Sequence, residues 1–84
     1  MRVTVISPER SLFDGEAEAV IAPAFDGQVG ILPRHAPFMT LLGEGVLVVR
    51  PVGGGQPSRF RVGGGFLQVV GRVLHVVAGT AESA

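Results

Sequence analysis

Glycine or proline interrupts this chain every few residues, and that spacing limits what it can fold into. Thirteen glycines and six prolines are spread over 84 residues. No window of a dozen residues stays free of both while repeating apolar residues at i, i+3, i+4 and i+7, so long helices are excluded. Valine dominates the apolar residues, and its β-branched side chain favours pleated, half-buried backbone.

The punctuation predicts a series of short strands. Arg2 to Ile6 alternates, with Val3 and Val5 on one face and Arg2 and Thr4 on the other. Ser7 to Ser11 reads as a turn, and Leu12-Phe13 as a brief extended piece ended by Asp14-Gly15. Glu16 to Ala22 alternates again, with Glu16 and Glu18 outward and Ala17 and Ala19 inward. Phe25-Asp26-Gly27 turns the chain into a strand from Gln28 to Leu32. Pro33 and Pro37 bracket a rigid, non-helical loop carrying His35. Further strands follow at Phe38 to Leu42, Val46 to Val52, Ser58 to Val62, Phe66 to Val70 and Val73 to Ala78. Gly53-Gly54-Gly55 reads as a hairpin loop, Gly63-Gly64-Gly65 as a bend or bulge, and Gly71-Arg72 as a turn.

Eight or nine strands of about five residues at even spacing imply an all-β sandwich or barrel. Residues 1–84 read as a single domain, with a small, polar tail from Gly79 to Ala84 read as a frayed end. The expected core comprises Val3, Val5, Ile21, Ile31, Leu42, Val48, Val62, Val69 and Val76.

Charge narrows the function classes. Seven arginines balance seven acids, and there is no lysine and no cysteine. A neutral domain lacks the electrostatic footprint of a nucleic-acid or anionic-membrane binder. An oligonucleotide-binding barrel would also stack bases on exposed aromatics, yet Trp and Tyr are absent and the five Phe lie in apolar contexts. No apolar run approaches the roughly 20 residues of a membrane span, and the N-terminus lacks a signal-peptide core. A protein in solution inside the cell, reaching a membrane only through a partner, is the expectation.

Nothing in the chain assembles a catalytic or cofactor site. His35 and His75 have no second ligand at metal-binding spacing, and His75 shares its strand with valines, which suits a locally bonded structural role. No G-x-S-x-G elbow presents a nucleophile. Both triple-glycine runs lead into strands rather than helices, so neither makes a phosphate cradle. Glu16 and Glu18 lie together on a solvated strand face. No catalytic, metal or cofactor residue is therefore assigned. The most informative stretch is Phe25 to Phe38, where an acidic turn, a short strand and a doubly proline-locked loop suit a pre-organised recognition surface.

That stretch also carries a family likeness. The run Gly27-x-x-Gly30-Ile31-Leu32-Pro33-x-His35-Ala36-Pro37-Phe38-Met39-Thr40 follows an opening Val5-Ile6-Ser7-Pro8-Glu9-Arg10-Ser11-Leu12-Phe13-Asp14-Gly15-Glu16-Ala17-Glu18. Together with Arg59-Phe60-Arg61-Val62-Gly63-Gly64-Gly65-Phe66-Leu67-Gln68-Val69, they resemble the epsilon subunit of F-type ATP synthases from Val3 to about Glu82. The resemblance implies a flattened sandwich of about ten short, mainly antiparallel strands. It implies a non-catalytic central-stalk subunit that links the gamma subunit to the c-ring and couples proton translocation to ATP synthesis. The expected place is peripheral, on the cytoplasmic face of a bacterial plasma membrane. By the same resemblance Asp26, Gly27, Gln28 and Val29 meet the c-ring, while Ser7, His35 and Thr40 meet gamma. Where relatives often carry two carboxylates in the acidic turn, this chain has Asp26 followed by Gln28. Relatives usually continue into a C-terminal helical hairpin, and this chain ends where it would begin, so hairpin-type inhibition of ATP hydrolysis is not expected. The alternative is a generic β-barrel interaction module, and a small enzyme stands further off for want of convergent polar residues.

Overall fold

Alternating apolar residues bury one face of each strand, and the computed structural model, which describes residues 1–84, shows how these faces meet. Seven strands form and there is no helix: β1 (Arg2–Ile6), β2 (Ser11–Ala24), β3 (Gly27–Ile31), β4 (Phe38–Leu41), β5 (Gly45–Pro51), β6 (Ser58–Val70) and β7 (Val73–Ser83). The sheet order is β1-β7-β6-β5-β2-β3, β1 also pairs with β2, and β4 pairs with β6. The β1–β2 pairing closes the sheet into a barrel-like ring from which β3 and β4 extend. All pairings are antiparallel except β1 with β7.

The all-β expectation holds, but fewer and longer strands deliver it. β2, β6 and β7 run for 14, 13 and 11 residues because each crosses from one layer to the other. β2 pairs with β1 along Ser11–Glu16, then with β5 and β3 from Ala17 onward. β6 pairs with β5 up to Val62 and with β4 from Phe66. β7 holds β1 along Val73–Val77, and its second half pairs with β6 as far as Ser83. Counting the two halves of each long strand separately, the layers hold five segments each, and the flattened ten-stranded sandwich is recovered. The break expected at Asp14-Gly15 is absent, since the chain stays extended through it.

The core consists of sixteen buried apolar residues drawn from both layers and includes no buried polar side chain. In one layer the rows Thr40–Leu67–Val76–Val5 and Phe38–Val69–Leu74–Val3 point inward. In the other, Val20 and Ala22 meet Leu47 and Val49, with Ile31 alongside. Phe13 and Phe60 stack edge to face at 6.3 Å.

Seven of the nine expected core residues are buried; Ile21 and Val48 are not. The two are partners in the β2–β5 ladder and both face outward. A β-bulge between Ala17 and Ala19 inserts one residue and reverses the alternation. Ala17 is therefore buried, Ala19 only half-buried, and Val20 and Ala22 take the inward places expected of Ala19 and Ile21. The tail from Gly79 also departs from expectation. Thr80, Ala81, Glu82 and Ser83 pair with Gly63, Val62, Arg61 and Phe60, and the Ala84 N–H donates to the Arg59 carbonyl at 3.0 Å.

Candidate functional site

An apolar, fully satisfied interior leaves the surface as the place where this protein acts. Every buried side-chain polar atom has a partner, and no group of three His, Asp or Glu side chains is arranged to hold a metal ion.

The acidic turn is built by the β2–β3 hairpin. Ala24 pairs with Gly27, so Phe25 and Asp26 form a two-residue tip. Asp26, Gly27 and Gln28 are exposed, and Asp26 makes no ion pair. Val29 is half-buried and packs against the core, so the exposed acidic group ends at Gln28. Reading the sequence passed over Phe25, which is 69% exposed beside Asp26. The signal was available: the first position of a two-residue turn cannot reach the core.

The proline-bracketed loop lies at the other end of β3, about 16 Å from the tip by strand rise. The His35 N–H donates to the Leu32 carbonyl at 3.2 Å, and the ring Nδ1 lies 2.8 Å from the Ala36 carbonyl. A carbonyl only accepts, so Nδ1 is the donor in this bond. The ring meets Phe38 edge to face at 5.4 Å. His35 is thus held in one orientation, half-buried, at the entry to β4.

The structure places Ser7, His35 and Thr40 around one layer without joining them. Ser7 follows β1 in a tight turn, its N–H donating to the Arg10 carbonyl and its hydroxyl to Glu9. His35 precedes β4 at the opposite end of the layer. Thr40 shares the inward row of Leu67 and Val76, half-buried at the margin of the core, three strand spacings or about 14 Å from Val5.

The outer face of this layer was not singled out by sequence reasoning. Leu41, Phe66, Val77 and Ile6 form a continuous cross-strand apolar row. Leu41 is 62% exposed and Ile6 38%. Met39, 61% exposed, stands beside it in the next row with Gln68, His75 and Thr4. His75 Nδ1 and the Thr4 hydroxyl share a 2.8 Å hydrogen bond, the local bonding expected of that histidine. Period-2 alternation marks only one buried face per strand, and an apolar row across the other face follows from the register between strands.

The fold and its surface define a closed, two-layer β-sandwich domain with an exposed apolar face, a proline-bracketed loop and a hairpin tip carrying Asp26. The chain belongs to the ATP synthase delta/epsilon-chain β-sandwich family, whose model matches residues 1–84. It is 41% identical over 81 residues to the ATP synthase epsilon chain of Chromobacterium violaceum, covering 96% of this chain and 58% of that one. It is 43% identical over 84 residues to the epsilon chain of Halorhodospira halophila, covering all of this chain and 60% of that one. The chain therefore spans about three-fifths of the length of these relatives. Its fold is similar to a chain in the Euglena gracilis mitochondrial ATP synthase assembly of OSCP, F1 and c-ring, with a TM-score of 0.87 at 23% identity, covering 96% of this chain and 51% of that one. A chain of the Tetrahymena thermophila mitochondrial ATP synthase central stalk and c-ring matches with a TM-score of 0.81 at 17% identity, covering 99% of this chain and 66% of that one.

Proposed function

We propose that this chain is a non-catalytic subunit of the central stalk of an F-type ATP synthase, joining the gamma subunit to the c-ring so that proton flow is coupled to ATP synthesis. The observation that carries this reading is the family match along the whole chain. The geometry supports it, because the two candidate contact regions lie at opposite ends of β3, as a linker requires. In this reading the tip at Asp26, Gly27 and Gln28, with Val29 supporting it from behind, meets the c-ring. The layer carrying His35, Thr40 and, across it, Ser7 meets gamma, with the Leu41–Phe66–Val77–Ile6 row supplying apolar area. Residues 1–84 act as one such domain, held peripherally at the cytoplasmic face of a bacterial membrane by the complex.

Reconstitution tests this. Vesicles carrying the complete complex are expected to make ATP from an imposed proton gradient. Omitting this chain should uncouple gradient from synthesis, and adding it back should restore coupling. Full coupled synthesis without the chain would overturn the proposal.

A further inference from the structure

Arg34 occupies a backbone position that costs stability and returns nothing within the chain. Its φ of 71° is the one positive value at a residue other than glycine. The left-handed conformation is unfavourable for an L-residue with a Cβ. No ion pair or side-chain hydrogen bond of Arg34 offsets it. Such strain points to a use outside the fold when a second feature explains it.

That second feature is Arg72. Arg72 sits in the two-residue β6–β7 turn, since Val70 pairs with Val73. Arg34 and Arg72, with Pro33 and Met1, line one cleft of about 170 Å³. The charge of this cleft is unlike that of the others: one holds Glu18 with Arg50, another Arg61 with Glu44 and Glu82, and a third Arg10 alone. Arg34 and Arg72 both line this cleft and no carboxylate does, while the amine of Met1, also in the lining, lies 3.6 Å from Glu16. The neighbouring Arg2 is already engaged by Asp14 at 2.8 Å. Both arginines are exposed, and Arg34 is fixed by the Pro33–Pro37 loop.

We propose that Arg34 and Arg72 form a receiving site for a carboxylate presented by the protein surface that docks on this end of the sandwich. The guanidinium fork matches carboxylate geometry and grips it with two donors. Exposure argues against a small free anion as the occupant. An exposed charge pair attracts a free anion only weakly, so a small carboxylate senses the site at high concentration without occupying it at ordinary ones. A side chain delivered by an already docked surface has met most of the entropy cost of binding, and for it the same pair fixes register and speeds encounter. Identifying that surface as the gamma subunit rests on the reading above; the anion site itself does not.

Two measurements separate these claims. In the first, binding of the gamma subunit from the same organism is titrated against the wild type, Arg34→Gly, Arg72→Gln and the double variant. Each single change should weaken binding about fivefold at low salt and less at high salt. The double variant should lose much less than the product of the two, because both groups grip one carboxylate. Arg34→Gly should also melt higher than the wild type, since glycine removes the left-handed strain. Unchanged affinity in the double variant, or fully multiplicative losses, would overturn the shared site. In the second, the arginine Nε–H resonances of the chain alone are followed during addition of acetate and, separately, inorganic phosphate. Arg34 and Arg72 should respond together to acetate while Arg59 and Arg61 stay still. Uniform response of all arginines, or response to phosphate alone, would overturn the proposal. Absent gamma binding with a paired acetate response would reject the docking reading and leave the carboxylate site standing.

Discussion

A Cβ on Gly65 would overlap the carbonyl oxygen of Val77 across the β6–β7 ladder. Gly65 has a φ of 89° and lies where β6 leaves β5 and takes up β4. Its own carbonyl accepts from the Leu42 N–H at 3.0 Å, tying the crossing strand down. The obstacle is backbone rather than a movable side chain, so the strand cannot yield cheaply. Gly65→Ala is expected to destabilise the fold by more than about 3 kcal/mol in urea unfolding. At Gly64 the same addition meets nothing within 4 Å, so Gly64→Ala should cost about 1–2 kcal/mol, from its φ of 69° alone. Equal losses at the two sites would contradict the overlap.

The bulge in β2 makes a second pair of expectations. Val20→Ala and Val49→Ala remove fully buried side chains and should each cost about 2 kcal/mol or more. Ile21→Thr and Val48→Thr, on the outward face, should each cost less than about 1 kcal/mol. Reversal of that ranking in denaturant titrations would restore the uninterrupted alternation.

Because Thr80 to Ser83 lie in the β6–β7 ladder and Ala81 packs against the core, this segment contributes to stability. Its amides should exchange slowly with deuterium, at rates near those of Leu74 and Val76. Ending the chain at Gly79 should lower the melting temperature by several degrees, on the order of the 4–8 °C per kcal/mol of domains this size. Fast exchange across the segment would mark it as frayed.

Asp26 carries no internal partner, so its replacement tests function with little interference from folding. Asp26→Lys should leave stability within about 0.5 kcal/mol of the wild type. In the reconstituted complex it should weaken retention on the c-ring and lower coupled ATP synthesis. Normal retention and normal coupling would remove Asp26 from the c-ring contact.

The acidic tip was legible in the sequence because a turn is a local object. Phe25-Asp26-Gly27 carries its own signal, and the pairing of Ala24 with Gly27 follows from it. The loop at His35 was legible for the same reason, since Pro33 and Pro37 restrict φ without help from the rest of the fold. The apolar row on the outer face was not legible. Leu41, Phe66, Val77 and Ile6 come from four strands, and only the register of three ladders sets them in a row. The cleft shared by Arg34 and Arg72 is of the same kind, joining a loop and a turn separated by 37 intervening residues.

By itself the sequence determined that the chain is built of strands, where its turns fall, and which residues of most strands seek the interior. Those properties depend on φ/ψ preference and side-chain alternation, which act over a few residues. Only the tertiary structure decided that Ser11–Ala24 and Ser58–Val70 are single strands serving two layers. It also decided that Ile21 and Val48 face out, and that Thr80–Ser83 pairs rather than frays. Each of these turns on a partner strand distant in sequence, because backbone hydrogen bonds between strands are satisfied by whichever segment the closed sheet brings alongside.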